Sequence, residues 1–278
     1  MKTLALLLMT GATGWTAGQI LVHGHRGARA MRPENTIPAF EYAISVGVDV
    51  LELDLAVTKD DVVVVSHDPV VNREICTGPG AGRAIRTLTL AEVRECDCGA
   101  KRNPAYPKQT PAPRTPIPTL DEVLALGSRG AFEFNIETKI FADRPELTPT
   151  PEKFAQLVLD NVRKHRLESR VILQSFDFRT LHAMKALAPQ IRLSALYEKG
   201  EESFVDIGRR GGAQIVSPQF RLVTPAKVKA AHAAGLQVVP WTANKREEWD
   251  PLVAAGVDAI ISDDPAALIA YLKEKKLR

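Results

Sequence analysis

Acidic, basic and histidine side chains are concentrated between residues 23 and 68 of this 278-residue chain. Glu52 and Asp54 are two positions apart in an apolar run, so on a β-strand both carboxylates would point to the same side. Carboxylate oxygens are the ligands that Mg²⁺ and Ca²⁺ prefer. His25 and His67 lie before and after this pair, and an imidazole that titrates near pH ~6.5 suits proton transfer at neutral pH. The spacing predicts an active site.

A third carboxylate and two cations belong to the same predicted site. Glu137 lies in the apolar run at 132–140, where an unpaired buried carboxylate would be costly. Arg26 and Lys139 are close to these groups in the sequence and would neutralise charge that builds on phosphoryl oxygens. We therefore predict a phosphodiester site. One histidine would accept a proton from the attacking oxygen, and the other would protonate the leaving alcohol.

Each of these residues also has an ordinary structural explanation. A histidine at a strand end is often hydrogen-bonded in a purely structural role, and a Glu-x-Asp pair on a strand commonly faces solvent. Glu137 and Lys139 could form a single surface ion pair. The functional interpretation rests on the occurrence of all these groups together.

The elements that must position these side chains alternate between strand and helix. Strands are predicted at 20–23, 50–55, 62–65, 132–137, 171–174, 192–197, 214–217, 237–241 and 259–262. Helices are predicted from Thr36 or Ile37 to Gly47, and at 88–96, 119–127, 151–165, 177–187, 225–234, 245–255 and 265–275.

If the strand at 62–65 extends a hairpin, eight strands remain, which is the number in a (β/α)8 TIM barrel. An open doubly wound sheet is the alternative, but no glycine-rich phosphate loop follows the first strand. Barrels carry their active sites at the C-terminal ends of the strands, where this chain has many polar residues. These are His25, Glu52, Asp54, Glu137, Lys139, Gln174, Ser217, Trp241 and Asp263.

The hairpin decides whether the second histidine reaches the acids. If the turn closes around Lys59 and Asp60, His67 lies opposite Glu52 on the same face. A slip of one residue would turn His67 away, because side chains alternate between the two faces of a strand.

Residues 69–118 form a loosely patterned, proline-rich insertion, which we expect at the barrel mouth. It contains all three cysteines of the chain. Cys96 and Cys98 are too close for an easy mutual disulfide, whereas Cys76 could pair with either of them in an oxidising compartment. Three thiols without a nearby histidine make a poor zinc site.

Residues 1–18 resemble a secretory signal peptide. Lys2 precedes an apolar run at 4–9, and small residues follow up to a predicted cleavage near Gln19. The run is short for a bilayer span, and its glycines disfavour the alternative of an N-terminal helix of the domain. We therefore expect a secreted or periplasmic protein with one mature domain at 19–278.

The composition limits the class of partner. With 45% hydrophobic and 25% charged residues, the chain can build one large globular core. The formal charge of +3 is small and the basic residues are scattered, so we expect no nucleic-acid partner.

Taken in order, the motifs resemble those of the glycerophosphodiester phosphodiesterase family, in the broader group that includes phosphatidylinositol-specific phospholipase C. The matching elements are His25-Arg26-Gly27, Pro33-Glu34-Asn35-Thr36, Glu52-x-Asp54, His67-Asp68, Ile117-Pro118-Thr119-Leu120, Glu137-x-Lys139, Gln174-Ser175-Phe176, Trp241-Thr242-x-Asn244 and Ser262-Asp263-x-Pro265. They span nearly the whole predicted mature chain.

The resemblance implies a barrel with a small insertion after the second histidine, and roles for eight residues. Acid–base catalysis is implied for His25 and His67, binding of Mg²⁺ or Ca²⁺ for Glu52, Asp54 and Glu137, and binding of the substrate phosphate and glycerol for Arg26, Lys139 and Trp241. The implied reaction is hydrolysis of a small-molecule glycerophosphodiester, such as glycerophosphocholine or glycerophosphoethanolamine, to glycerol 3-phosphate and an alcohol. Attack by the neighbouring glycerol hydroxyl, through a cyclic phosphate, is a candidate first step.

Two alternatives stay open at this point. A phospholipase D or C acting on lysophospholipids or phosphoinositides would need an apolar rim for acyl chains, and an aromatic content of 6% gives that little support. A non-catalytic barrel that binds phosphodiesters would be favoured if a catalytic position were lost, and none is.

Overall fold

A computed structural model describes residues 18–278, in which nine β-strands form one sheet. The strands are β1 (Leu21–Gly24), β2 (Val50–Val57), β3 (Val63–Val65), β4 (Glu133–Thr138), β5 (Val171–Ser175), β6 (Arg192–Tyr197), β7 (Ile215–Pro218), β8 (Gln237–Val238) and β9 (Ala259–Ser262). The predicted signal peptide at 1–18 lies outside the described residues except for Gly18.

Eight of these strands are parallel and follow the order β8-β7-β6-β5-β4-β2-β1-β9. The two ends of this order are joined by backbone hydrogen bonds, because Asp258 N donates to Val238 O and Ile261 N to Pro240 O, both at 3.0 Å. The sheet is therefore a nearly closed barrel. The prediction of a (β/α)8 TIM barrel is confirmed.

Nine α-helices lie in the described part of the chain. They are α1 (Ile37–Val46), α2 (Leu90–Arg94), α3 (Leu120–Ala125), α4 (Pro151–Lys164), α5 (Phe178–Leu187), α6 (Phe204–Gly211), α7 (Pro225–Ala233), α8 (Arg246–Ala255) and α9 (Pro265–Glu274). Short 3-10 turns occur at Ile85–Thr87, Leu126–Arg129, Pro145–Leu147, Glu168–Arg170 and Phe220–Leu222. None of these helices is long and apolar enough to cross a membrane.

Local capping chemistry sets the helix ends as the sequence predicts. The hydroxyl of Thr36 accepts from the backbone N–H of Ala39, and α1 ends at Gly47, which has a left-handed φ of 85°. Thr89 and Thr119 begin α2 and α3 with complete capping boxes.

Two elements differ from the sequence prediction. Helix α6 was not predicted, because it is only eight residues long and contains Gly208, a weak helix former. The structure explains this glycine, since an added Cβ would lie 2.6 Å from the side chain of Leu236. Strand β8 ends at Val238 instead of residue 241, because Pro240 has no N–H to donate to a neighbouring strand.

The predicted hairpin register is wrong by one residue. Val57 pairs with Val63 and Leu55 with Val65, so that continuing the ladder would place His67 opposite Leu53. The cause is a three-residue loop at 59–61, in which Asp61 adopts a left-handed φ of 60°. However, β3 ends at Val65 and the chain then bends, so the ladder does not determine the direction of His67.

Side-chain alternation along the strands separates the barrel interior from the helix layer. Leu51, Leu53 and Leu55 of β2 belong to the main core that the helices cover. Glu52 and Asp54 point to the other side of the strand, into the barrel. A smaller apolar cluster fills the barrel interior with Ile172, Ile215, Val239, Ala259 and Ile261.

The insertion at 69–118 has an apolar cluster of its own, which includes Val71, Ile85, Leu88, Val93 and Ile117. This cluster packs on Ala56 and Val64 of the hairpin. A disulfide joins Cys76 and Cys98, one of the two pairings that the sequence allows, and Cys96 is free and buried.

Candidate active site

A pocket of about 350 Å³ opens at the C-terminal ends of the barrel strands. The structure brings all eight of the sequence-predicted site residues into its lining, namely His25, Arg26, Glu52, Asp54, His67, Glu137, Lys139 and Trp241. Other lining residues are Arg29, Gln174, Phe176, Leu196, Glu198, Thr242 and Ile261.

The turn after β1 places Arg26 against the acids. Gly27 has a φ of 82°, and a Cβ at this position would lie 2.7 Å from the backbone of Ala39 in α1. This close approach fixes the turn, in which the backbone N–H of Arg26 donates to Glu52 Oε2 at 2.9 Å. The guanidinium of Arg26 pairs with Glu34 at 2.6 Å and with Asp54 at 3.2 Å.

Three buried carboxylates converge in the pocket. One oxygen from each of Glu52, Asp54 and Glu137 lies within 4.8 Å of the others. Strand pairing explains this, because Asp54 of β2 lies directly beside Glu137 of β4. Amide side chains hold two of the carboxylates: Gln174 donates to Glu52 at 2.8 Å, and Asn35 donates to Asp54 at 2.9 Å.

Charge is not balanced within this cluster. Lys139 Nζ lies 2.8 Å from Glu137 and 3.2 Å from Asp54. Burial opposes ionisation of Asp54, but Lys139 and Arg26 outweigh burial and hold the pKa of Asp54 well below its usual range. In contrast, burial and the nearby charge of Asp54 raise the pKa of Glu52 well above its usual value.

These carboxylates fit a divalent cation. They supply three hard oxygen ligands from two adjacent strands, in a buried position. Burial also raises the pKa of Glu137, so both glutamates lack sufficient positive charge nearby. The outer hydrogen bonds from Gln174 and Asn35 are of the kind that orients metal ligands.

His25 is held by the barrel. Its Nδ1 lies 2.5 Å from Asp263 Oδ1, and its Nε2 lies 4.0 Å from Glu52 Oε2. Burial lowers the pKa of His25, and Asp263 partly opposes this effect. Asp263 also accepts from Asn244 at 2.8 Å and from the Tyr106 hydroxyl at 3.2 Å. Burial opposes the charge of Asp263, but the facing His25 and nearby arginines lower its pKa to about 2.

His67 is held by the bend after β3. The backbone N–H of Ser66 donates to the carbonyl of Asp54 at 2.9 Å, which ties the bend to β2. His67 Nδ1 lies 2.9 Å from Asp68 Oδ1, and Asn72 donates to the other oxygen of Asp68 at 2.8 Å. Each histidine thus has a carboxylate on Nδ1, which leaves Nε2 for proton transfer.

Trp241 forms an apolar wall of the pocket. Its indole N–H donates to the carbonyl of Ser217 at 2.8 Å, which fixes the ring. Its ring meets that of Phe176 edge to face, with centroids 5.5 Å apart.

The sequence prediction assigned no role to several residues that support the site. Asp263 lies in the Ser-Asp-x-Pro motif, and its place directly after the predicted strand at 259–262 was the available signal. Arg29 pairs with Glu34 at 3.0 Å and lies over the ring of Tyr106. Tyr106 comes from the proline-rich insertion, and no pattern in the sequence marks it.

Comparisons with known proteins show a similarity to one family. The model of the glycerophosphoryl diester phosphodiesterase family matches residues 25–267. A relative named glycerophosphodiester phosphodiesterase, from Caldanaerobacter subterraneus subsp. tengcongensis, is 34% identical over 254 residues, which cover 91% of this chain and 98% of the relative. A Bacillus subtilis protein with the same name is 30% identical and covers 89% of this chain and 84% of its own.

Solved structures share the fold. A Silicibacter pomeroyi DSS-3 protein that carries the same family name has a TM-score of 0.83 and 31% identity, and the match covers 89% of this chain and 91% of that one. An Oleispira antarctica phosphodiesterase in complex with its product sn-glycerol-3-phosphate has a TM-score of 0.79 at 23% identity, over 92% of this chain and 97% of that one, and it shows the shared fold.

Proposed function

Because this chain belongs to the glycerophosphoryl diester phosphodiesterase family, which is a family of hydrolases, we propose that it hydrolyses glycerophosphodiesters to glycerol 3-phosphate and an alcohol. Glycerophosphocholine and glycerophosphoethanolamine are the substrates to test first. The observation that carries the proposal is the convergence of three buried carboxylates, two cations and two histidines in one pocket.

A divalent cation, Mg²⁺ or Ca²⁺, is part of the proposal. Glu52, Asp54 and Glu137 would hold it, which the mutual approach of the three carboxylates and the raised pKa values of the two glutamates support. Such a cation supplies charge neutralisation at the phosphoryl oxygens when it is bound.

Arg26 and Lys139 are the proposed phosphate-binding side chains. Arg26 is buried and Lys139 is half-buried beside the carboxylates, and both line the pocket, so a phosphodiester anion there would meet two fixed cations. Trp241 is proposed to contact the carbon backbone of the glycerol, together with Leu196 and Ile261 on the same wall.

His25 and His67 are the proposed acid–base pair. One takes the proton of the attacking oxygen as that oxygen forms its bond to phosphorus. The other gives a proton to the alcohol oxygen, which leaves with the electron pair of the broken P–O bond. If the attacking oxygen is the neighbouring glycerol hydroxyl, a cyclic phosphate forms, and water opens it with the proton transfers reversed.

The test is release of glycerol 3-phosphate from glycerophosphocholine by the purified chain, with chelator and then with Mg²⁺ or Ca²⁺ added back. We expect the chelator to abolish release and one cation to restore it. His25→Ala should remove the activity, whereas His232→Gln, an exposed histidine outside the pocket, should keep it. Release that persists at full rate in a chelated sample would contradict the metal proposal.

Export is proposed on two grounds. Residues 1–18 have the pattern of a signal peptide, and the Cys76–Cys98 disulfide suits an oxidising compartment. Mass spectrometry of the mature N-terminus from fractionated cells tests this, because export predicts a chain that begins near Gln19. A full-length chain recovered from the cytoplasm alone would oppose it.

A further inference from the structure

A second cavity, of about 270 Å³, adjoins the active-site pocket on the side of His67. His67, Glu137, Lys139 and Phe176 line both spaces, so the two cavities adjoin at these four residues. His25 and Trp241 line only the first. A diester bound at the cations would therefore have space for one esterified group on each side.

The wall of this second cavity is largely apolar. Pro69 comes from the start of the insertion, Ile140 and Phe141 from the loop after β4, and Phe176 from the end of β5. Phe176 is 44% exposed, and with Leu187 it is one of the two large hydrophobic side chains that are exposed in the described residues. A solvent-facing aromatic at the rim of a catalytic pocket is a surface suited to an apolar ligand group.

The hydroxyl groups of this wall already have partners within the protein. Thr138 Oγ1 lies 2.8 Å from Thr180 Oγ1, and Ser175 Oγ donates to the carbonyl of Thr138 at 2.8 Å. A ligand gains little from a polar group that is already satisfied.

Two of the three carboxylates of the wall, Asp68 and Asp177, have partners outside the pocket's carboxylate cluster. Asp68 bonds to His67 and Asn72, and Asp177 accepts from the guanidinium of Arg179 at 2.6 to 3.1 Å. Lys139 adds a positive charge where the two spaces meet. A cationic head group would find Asp68 and Asp177 already paired, and it would meet the Lys139 ammonium group beside Glu137, which disfavours it.

We propose that this cavity, given the proposed function, receives the alcohol portion of the diester and selects an apolar alkyl or aryl alcohol over a charged head group. The glycerol then lies on the side of Trp241. His67 is the histidine beside the alcohol, so it protonates the leaving oxygen as the P–O bond breaks. His25 takes the proton from the oxygen that attacks phosphorus.

The experiment compares glycerophosphodiesters of ethanol, butanol and hexanol with glycerophosphocholine, using release of glycerol 3-phosphate by the full chain. We expect kcat/KM to rise by about fourfold for each methylene that enters the cavity, the size of the usual hydrophobic increment. Glycerophosphocholine should be slower than the hexyl diester. Equal rates for the three alkyl diesters, or a preference for choline, would overturn the inference.

Variants at Phe141 test whether the second cavity causes the preference for longer alkyl alcohols. Phe141→Ala removes a side chain that lines the second cavity but not the active-site pocket, so the ratio of hexyl to ethyl kcat/KM should fall toward one. Phe141→Leu should keep most of the ratio. Leu187→Ala is the control, because Leu187 is another large hydrophobic side chain with solvent exposure and lines neither cavity. A ratio unchanged in Phe141→Ala would contradict this location.

Failure of the proposed function can be distinguished from failure of the inference about the second cavity. If no diester is hydrolysed under any condition, the proposed function is wrong. Calorimetry of diester binding then still tests the second cavity. For this measurement His25→Ala serves as a variant deficient in cleavage. Tighter binding of the hexyl diester than of glycerophosphocholine would support the cavity, and the opposite order would refute it.

Discussion

The two histidines of the pocket are supported by different parts of the molecule. His25 is 12% exposed and bonds to Asp263, so two adjacent barrel strands hold it. His67 is 34% exposed, and its partner Asp68 lies at the start of the insertion with 36% exposure. The barrel therefore fixes one side of the reaction, and the hairpin and insertion fix the other.

This difference suits the His25 side of the pocket to the chemical step and the His67 side to substrate selectivity. Groups around His25 are buried and tied to strands, which suits a role common to every substrate. The side of His67 is more open and is built from loops, which tolerate change. We therefore expect the residues on the His67 side to determine which leaving alcohols are accepted.

Replacing each histidine by alanine should give the largest effect. With an alkyl glycerophosphodiester, His25→Ala and His67→Ala should each lower kcat by about 10²- to 10⁴-fold, the usual contribution of acid–base catalysis. A p-nitrophenyl diester separates them, because its leaving group needs little protonation. His67→Ala should regain much of its rate with that substrate and His25→Ala should not. The reverse pattern would exchange the two roles.

Replacing the carboxylate partners of the two histidines should give the next largest effects. Asp263→Asn should lower kcat by about a hundredfold, near the lower limit of acid–base effects, because it removes the charge that orients and supports His25. Asp68→Asn should cost about tenfold or less, since its pair is more exposed to solvent. Steady-state kinetics with a short alkyl diester measures both. Equal losses would mean that the two sides are equally constrained.

Removal of the disulfide tests whether the insertion supports only one side. Cys76→Ser combined with Cys98→Ser should lower the free energy of unfolding by about 3 kcal/mol, as expected for a closed loop of this size. Thermal denaturation measures the loss, and hydrogen exchange should show it concentrated in residues 69–118. Protection lost first in β1 and β9 would contradict this division of the molecule.

The smallest expected effect concerns the hydrogen bond from the insertion to Asp263, the partner of His25. The Tyr106 hydroxyl donates to Asp263 at 3.2 Å. Tyr106→Phe should reduce kcat by about threefold, as loss of one modest hydrogen bond does. A reduction as large as that of Asp263→Asn would show that the insertion also controls His25.

Parts of this molecule could be predicted because they depend on neighbours in sequence. Thr36, Thr89 and Thr119 cap helices through bonds that span three residues. Glu52 and Asp54 share a face because any strand alternates its side chains. The strand–helix alternation and the ordered motifs were sufficient for the barrel and for the family.

Other features could not be read from the chain. The low aromatic content argued against an apolar rim, yet Phe141 and Phe176 both line the cavity beside His67. Average composition says nothing about where a few residues gather. The hairpin register failed because one extra loop residue, Asp61, shifts the whole ladder.

The sequence by itself determined the kinds of element, the faces on which the acids lie and the set of reactive groups, since local sterics and hydrogen bonds decide these. Only the tertiary structure decided which groups meet. Asp263 lies against His25 across 238 positions, and Cys98 rather than Cys96 bonds to Cys76. Such pairings depend on barrel closure and loop packing, in which many weak long-range contacts act together.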